Sequence, residues 1–123
     1  MKLDNTKVQM KKGVLEYCIL TIISREEAYA SDILEVLKKA RLIVVEGTLY
    51  PLLTRLKNSG LLTYEWKESS SGPPRKYYKL TPKGREFMEE LGQTWEELVY
   101  AVELTTGETI PKHDKTQNNE QNS

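Results

Sequence analysis

Apolar residues recur at three- and four-residue steps through the first half of the chain, then at steps of two, then at three and four again. Each change of period predicts a change of element, because a helix brings every third or fourth side chain to one face and a strand every second. Val14, Leu15, Cys18, Ile19, Ile22 and Ile23 predict a first helix from about Met10 to Ser24 with a broad buried face. Ile33, Leu34, Leu37 and Ala40 predict a second, with Ser31 and Asp32 near its positive end and Lys39 and Arg41 near its negative one. The β-branched run Ile43-Val44-Val45 then suits a short strand or an extended connector. A third helix, from about Glu46 to Ser59, sets Leu49, Leu52, Leu53 and Leu56 on one stripe. Pro51 lies about one turn in, where its missing N–H costs less than it would mid-helix, and Gly60 is a suitable stop.

From Leu61 the period is two, with Leu62, Tyr64 and Trp66 on one face and Thr63, Glu65 and Lys67 on the other. A second alternating run, Lys76 to Leu80, follows the loop Ser69-Ser70-Ser71-Gly72-Pro73-Pro74, so the pair predicts an antiparallel hairpin with an extended tip. Alternation also sends Tyr77 and Tyr78 to opposite faces, one inward and one to the rim. Thr81-Pro82 has the form of an N-cap and first helical residue, opening a helix that runs to about Thr106 with Gly107 as its stop.

That last helix carries a narrower signal. Met88, Leu91, Trp95, Leu98 and Val102 follow one another at steps of 3, 4, 3 and 4, the seam by which helices pair. At about 1.5 Å per residue it is long for a body of this size, and it is expected to bury its seam against a second subunit. The expected fold class is therefore mainly α with a small β-hairpin. It comprises a winged helix-turn-helix domain over residues 1–82, a C-terminal dimerisation helix over 83–107 and a disordered polar tail over 108–123.

A formal net charge of zero hides an uneven distribution. Residues 1–82 hold 14 basic against 9 acidic side chains, residues 83–107 hold 2 against 6, and the tail 2 against 3. A basic front and an acidic last helix suit a protein whose first part meets phosphate. Helix, helix, helix and hairpin is also the order in which a winged helix-turn-helix sets its third helix in the DNA major groove and its hairpin beside the backbone. Thr48 and Tyr50 would reach base edges or phosphates from the start of that helix, while Arg55 and Lys57 add charge further along. Gly47 leaves room there for the duplex, and Arg75 and Lys76 would reach phosphate from the hairpin. The same polar face is, on residue content alone, an ordinary solvated surface, and a winged-helix module that binds protein instead of DNA is the alternative.

Two stretches resemble a known family. Glu46-Gly47-Thr48-Leu49-Tyr50-Pro51-Leu52-Leu53, with Arg55-Leu56-Lys57 and Gly60-Leu61-Leu62, is similar to the recognition helix of PadR-like transcriptional regulators. Gly72-Pro73-Pro74-Arg75-Lys76-Tyr77-Tyr78-Lys79-Leu80-Thr81-Pro82-Lys83-Gly84 resembles that family's wing and its exit into the C-terminal helix. The resemblance implies a homodimeric transcription factor, usually a repressor, of the subgroup with a single C-terminal helix. By position it implies DNA contacts at Thr48, Tyr50, Arg75 and Lys76. It also makes Trp95 a candidate to stack on a small flat hydrophobic or aromatic effector between subunits, although a large residue packing the dimer seam reads the same way. The chain departs from the family at Ala30-Ser31, where a glycine and an aromatic residue commonly begin the second helix.

The remaining chemistry is sparse. Cys18 lies among apolar neighbours and reads as a buried, inert thiol. The single histidine, His113, falls in the polar tail, so no catalytic group can be assembled around it and no metal site or cofactor is expected. Glu89, Glu90, Glu96 and Glu97 read as a solvated helix face. With no apolar run approaching the roughly 18 residues of a membrane span, a cytoplasmic protein is expected. Its partners would be double-stranded DNA with a roughly palindromic operator and a second copy of itself.

Overall fold

The computed structural model describes residues 3–108, with side chains from residue 5 onward. The element order is α1 (Leu3–Arg25), α2 (Ala30–Lys39), α3 (Glu46–Asn58), β1 (Leu62–Ser69), β2 (Gly72–Leu80) and α4 (Pro82–Gly107). The mainly helical class with one two-stranded antiparallel hairpin is therefore the observed one. The chain divides into two units, one ending at Gln93 and the other beginning at Thr94.

In the first unit, three helices and the base of the hairpin enclose one apolar cluster. Ile19, Leu20, Ile33, Leu37, Leu49 and Leu53 are its fully buried members, and all but Leu20 are drawn from the stripes that the spacing marked on the three helices. Leu61, Leu62 and Tyr78 close it from the hairpin side. A single residue of the α1–α2 connection, Ala28, extends the hairpin: its N–H donates to the Tyr78 carbonyl at 3.2 Å and its carbonyl accepts from the Tyr78 N–H at 2.8 Å. The recognition-type helix and the hairpin are thus fastened to one core instead of hanging from a loop.

The ends of the helices follow local chemistry. The Asp32 carboxylate accepts the Tyr29 N–H at 3.0 Å, which ties the start of α2. Gly60, at φ 82°, turns the chain out of α3 in the left-handed region, and the Leu61 N–H reaches back to the Leu56 carbonyl at 3.0 Å. Thr81 caps α4 as expected: its hydroxyl accepts the Gly84 N–H at 2.9 Å and donates to the Gly60 carbonyl at 2.7 Å. Gly84 is required by contact, since a Cβ there would lie 2.0 Å from the Leu61 carbonyl oxygen. A β-carbon on Gly92 would likewise meet the Tyr17 hydroxyl at 3.1 Å.

Two boundaries differ from the sequence reading. Helix α1 begins at Leu3, not near Met10, because an exposed first part needs no apolar periodicity; Val8 and Met10 are 57% and 73% exposed. The hairpin tip is tight, with Ser69 paired to Gly72, so Pro73 and Pro74 belong to β2 instead of the loop. A two-stranded ribbon has free edges where a proline's missing donor is tolerated. Of the two readings left open for Ile43–Val45, the extended connector is the one observed. The expected polar tail lies outside the described residues beyond Glu108.

Candidate nucleic-acid interface

The exposed side of α3 divides into two stripes. Its buried side is Leu49, Leu52, Leu53 and Leu56, and the side chains between those leucines turn either toward α1 or toward the hairpin. Thr48 and Arg55, seven residues apart, line a groove of about 720 Å³ with Val8, Lys11, Lys12, Ile43 and Val45. Arg55 forms an ion pair with Glu16 of α1. Tyr50 and Lys57, also seven residues apart, line clefts on the hairpin side. The four residues singled out on α3 are therefore all on its open surface, but in two pairs with different neighbours.

The hairpin has two chemically distinct faces, set by its register. Trp66 pairs with Lys76 and Lys67 with Arg75, so alternation places Arg75 and Lys76 on opposite sides. On the side toward α2, the Arg75 guanidinium lies 4.0 Å from the centre of the Tyr29 ring and donates to the Ser31 hydroxyl at 3.3 Å. Tyr29 packs on Tyr77 at 4.9 Å between ring centres, and Lys67 covers the other part of Tyr77 at 4.2 Å. Ser31, one of the two positions that depart from the family pattern, thereby becomes the partner of a wing arginine. Tyr77 is half-buried on this side, while Tyr78 on the other is 3% exposed, as alternation required.

On the side toward α3, Lys76 stands 4.6 Å from the Tyr64 ring and 5.6 Å from Trp66, and Lys57 lies 5.7 Å from Tyr64. Tyr64 meets Trp66 edge to face at 6.1 Å and Tyr78 at 5.9 Å. Burial, together with the neighbouring Tyr50 and Tyr64, raises the Tyr78 phenol above its ordinary pKa and keeps it neutral. A cleft of about 430 Å³ joins this face to the starts of α2 and α3, lined by Ser31, Glu46, Tyr50, Trp66, Arg75 and Lys76. Four of the six residues proposed from sequence, Tyr50, Lys57, Arg75 and Lys76, thus surround adjoining clefts between α3 and the hairpin. Thr48 and Arg55 face the α1 groove instead.

These surroundings match a family as well as a geometry. The model of the transcriptional regulator PadR-like family matches residues 19–90, which run from the buried part of α1 through the hairpin into α4. The chain belongs to the PadR-like transcriptional regulators. It is 64% identical to a PadR-like transcription factor from Bacteroides fragilis, with a TM-score of 0.70 over 82% of this chain and 98% of that one. A PadR-like transcriptional regulator from Bacillus cereus is 43% identical, with a TM-score of 0.73 over 82% of this chain and 99% of its own. A transcriptional regulator of Mycobacterium tuberculosis is 31% identical over 76% of this chain and 87% of its length. The PadR-like family is one of regulators and not of enzymes.

Outside the interface, Cys18 is half-buried and its thiol is pushed above the ordinary value by burial, the setting of an unreactive cysteine. Among the described residues no cluster of histidine, cysteine and carboxylate side chains could hold a metal ion, and no helix is long and apolar enough to cross a membrane. Two residues that line the cleft escaped the sequence reading. Tyr29 sits in a connection without periodicity, and its partner Arg75 is far along the chain. Trp66 was legible as a strand residue on the Tyr64 face, but not as one standing beyond the core, where it is 62% exposed.

On α4, Met88 and Leu91 are half-buried against the core cluster of the first unit. In the second unit Trp95, Leu98 and Val102 are 43%, 53% and 56% exposed.

Proposed function

We propose that this PadR-like regulator is a cytoplasmic homodimer that binds a roughly palindromic DNA operator and represses transcription. The observation that carries the reading is the joining of the third helix and the hairpin by one cleft rimmed with Tyr50, Arg75 and Lys76. Cations and aromatic rings at that junction suit a phosphate backbone with groove edges beside it. Tyr50 and Thr48 would set position at the groove, and Lys57, Arg55, Arg75 and Lys76 would supply charge. Gly47 supports a close approach, since nothing lies within 4 Å of where its side chain would be.

Pairing through α4 is supported by the apolar, solvent-exposed Trp95, Leu98 and Val102, which a solitary chain would leave in water at a cost of about 25 cal/mol per Å². Two such subunits related by a two-fold axis would place two recognition helices about one DNA turn apart. The flat indole of Trp95 is also where a small aromatic effector would enter and shift that spacing.

The test uses duplexes selected from host genomic DNA by binding to the protein. Affinity is measured for Tyr50→Ala and for Arg75→Ala combined with Lys76→Ala. Both are expected to bind at least several-fold more weakly, and unchanged affinity in both defeats the assignment. Absence of salt-sensitive DNA retention would turn the reading toward a protein-binding module.

A further inference from the structure

The wing carries a large apolar surface that the core does not use. Trp66 lies on the same side of the hairpin as Leu62 and Tyr64, yet burial falls along that row: Leu62 is buried, Tyr64 half-buried and Trp66 62% exposed. The ring is nevertheless held. Tyr64 meets it edge to face, and its cross-strand partner Lys76 stands 5.6 Å from its centre. Packing therefore does not explain why an indole stands here, and the arrangement presents a flat apolar plate with an ammonium group beside it. The plate also lines the cleft that Tyr50 and Arg75 share.

A polar protein surface offers few counterparts to such a pair, whereas a DNA strand offers one at every nucleotide, where an anionic phosphate adjoins an apolar deoxyribose. We propose that Trp66 is a DNA-contacting residue of the wing, laying its indole on a deoxyribose next to the phosphate held by Lys76. This rests on the DNA-binding reading above and adds a residue to it. Charge orients the strand: Glu46 lines the cleft from the first turn of α3 and repels a phosphate there, which leaves the cationic position at Lys76. Arg75, stacked on Tyr29 and bonded to Ser31, fixes the ribbon against α2 at another part of the rim of the same cleft.

The contact has a signature that separates it from an indirect effect. Binding through phosphate releases counterions and steepens the fall of affinity with salt, whereas a neutral ring on a sugar releases none. Trp66→Thr keeps a strand-forming residue at an exposed site, so the fold and its thermal midpoint are expected to persist. Its affinity for the selected duplex is expected to fall about tenfold, a loss at the lower end of what an aromatic ring stacked on a base contributes. That loss should be the same at every salt concentration, leaving the slope of log affinity against log salt as in the wild type. Trp66→Phe should recover most of the loss, and Lys76→Ala should instead make the slope shallower by about one.

Affinity of Trp66→Thr within about twofold of wild type would overturn the contact, twofold being well below the expected aromatic effect. So would a slope reduced as in Lys76→Ala, because Trp66 would then merely position the lysine. A wild-type protein that retains no duplex fails the DNA-binding reading itself, and that result is visible before any variant is made.

Discussion

The two parts of α4 carry one repeating pattern, and the first has it covered while the second leaves it open. Up to Gln93 the helix is part of a folded core: Thr81 caps it, Gly84 touches the Leu61 carbonyl, and Phe87, Met88 and Leu91 pack at the edge of the apolar cluster. From Thr94 the same three- and four-residue rhythm continues through Trp95, Leu98 and Val102, but these side chains are open to solvent. A heptad-like pattern therefore marks where apolar residues face, and not what they face. Met88 and Leu91 serve their own subunit at least in part, and the pairing surface we propose is concentrated on the outer three residues.

The largest effect expected from this contrast is at the inner end. Gly84→Ala brings a β-carbon against backbone that cannot swing aside, and should lower stability by about 3 kcal/mol or more, read as a fall in the thermal midpoint. At the outer end, Trp95→Glu with Leu98→Glu should leave the helix and the core intact. In sedimentation the pair is expected to convert a dimer to a monomer, and to abolish the rise of melting temperature with protein concentration that association produces.

Leu91→Ala sharpens the boundary between the two parts. As a half-buried core residue it should cost about 1–2 kcal/mol, less than a fully buried leucine. The dimer should persist in sedimentation if pairing belongs to the outer residues. Thr81→Ala, which removes the hydroxyl that accepts the Gly84 N–H, should cost about 1 kcal/mol in chemical denaturation and leave association untouched.

Much of this fold is written in spacing. The buried stripes of α1, α2 and α3, the alternation of Leu62 and Tyr64, and the Thr81-Pro82 start of α4 are local signals, and the observed elements follow them. The early start of α1 was not legible, because a solvated polar helix has no periodicity to display. The inclusion of Gly72, Pro73 and Pro74 in β2 was hidden by residues that usually mark a loop. At the interface, the residue types on α3 were readable, but their division between the α1 groove and the wing cleft depends on what packs beside the helix. Tyr29 and Arg75 illustrate the same limit: their contact joins α2 to the hairpin, and nothing in either neighbourhood announces the other.

The most direct test of two subunits reading one duplex is sedimentation velocity of the wild-type protein and the Trp95→Glu, Leu98→Glu variant, each mixed with a selected duplex at low and high salt. Two wild-type chains should travel with each duplex at low salt and separate from it as salt rises, while the variant should bind weakly as a single chain. A wild-type complex holding one chain, or one that ignores salt, would contradict the claim.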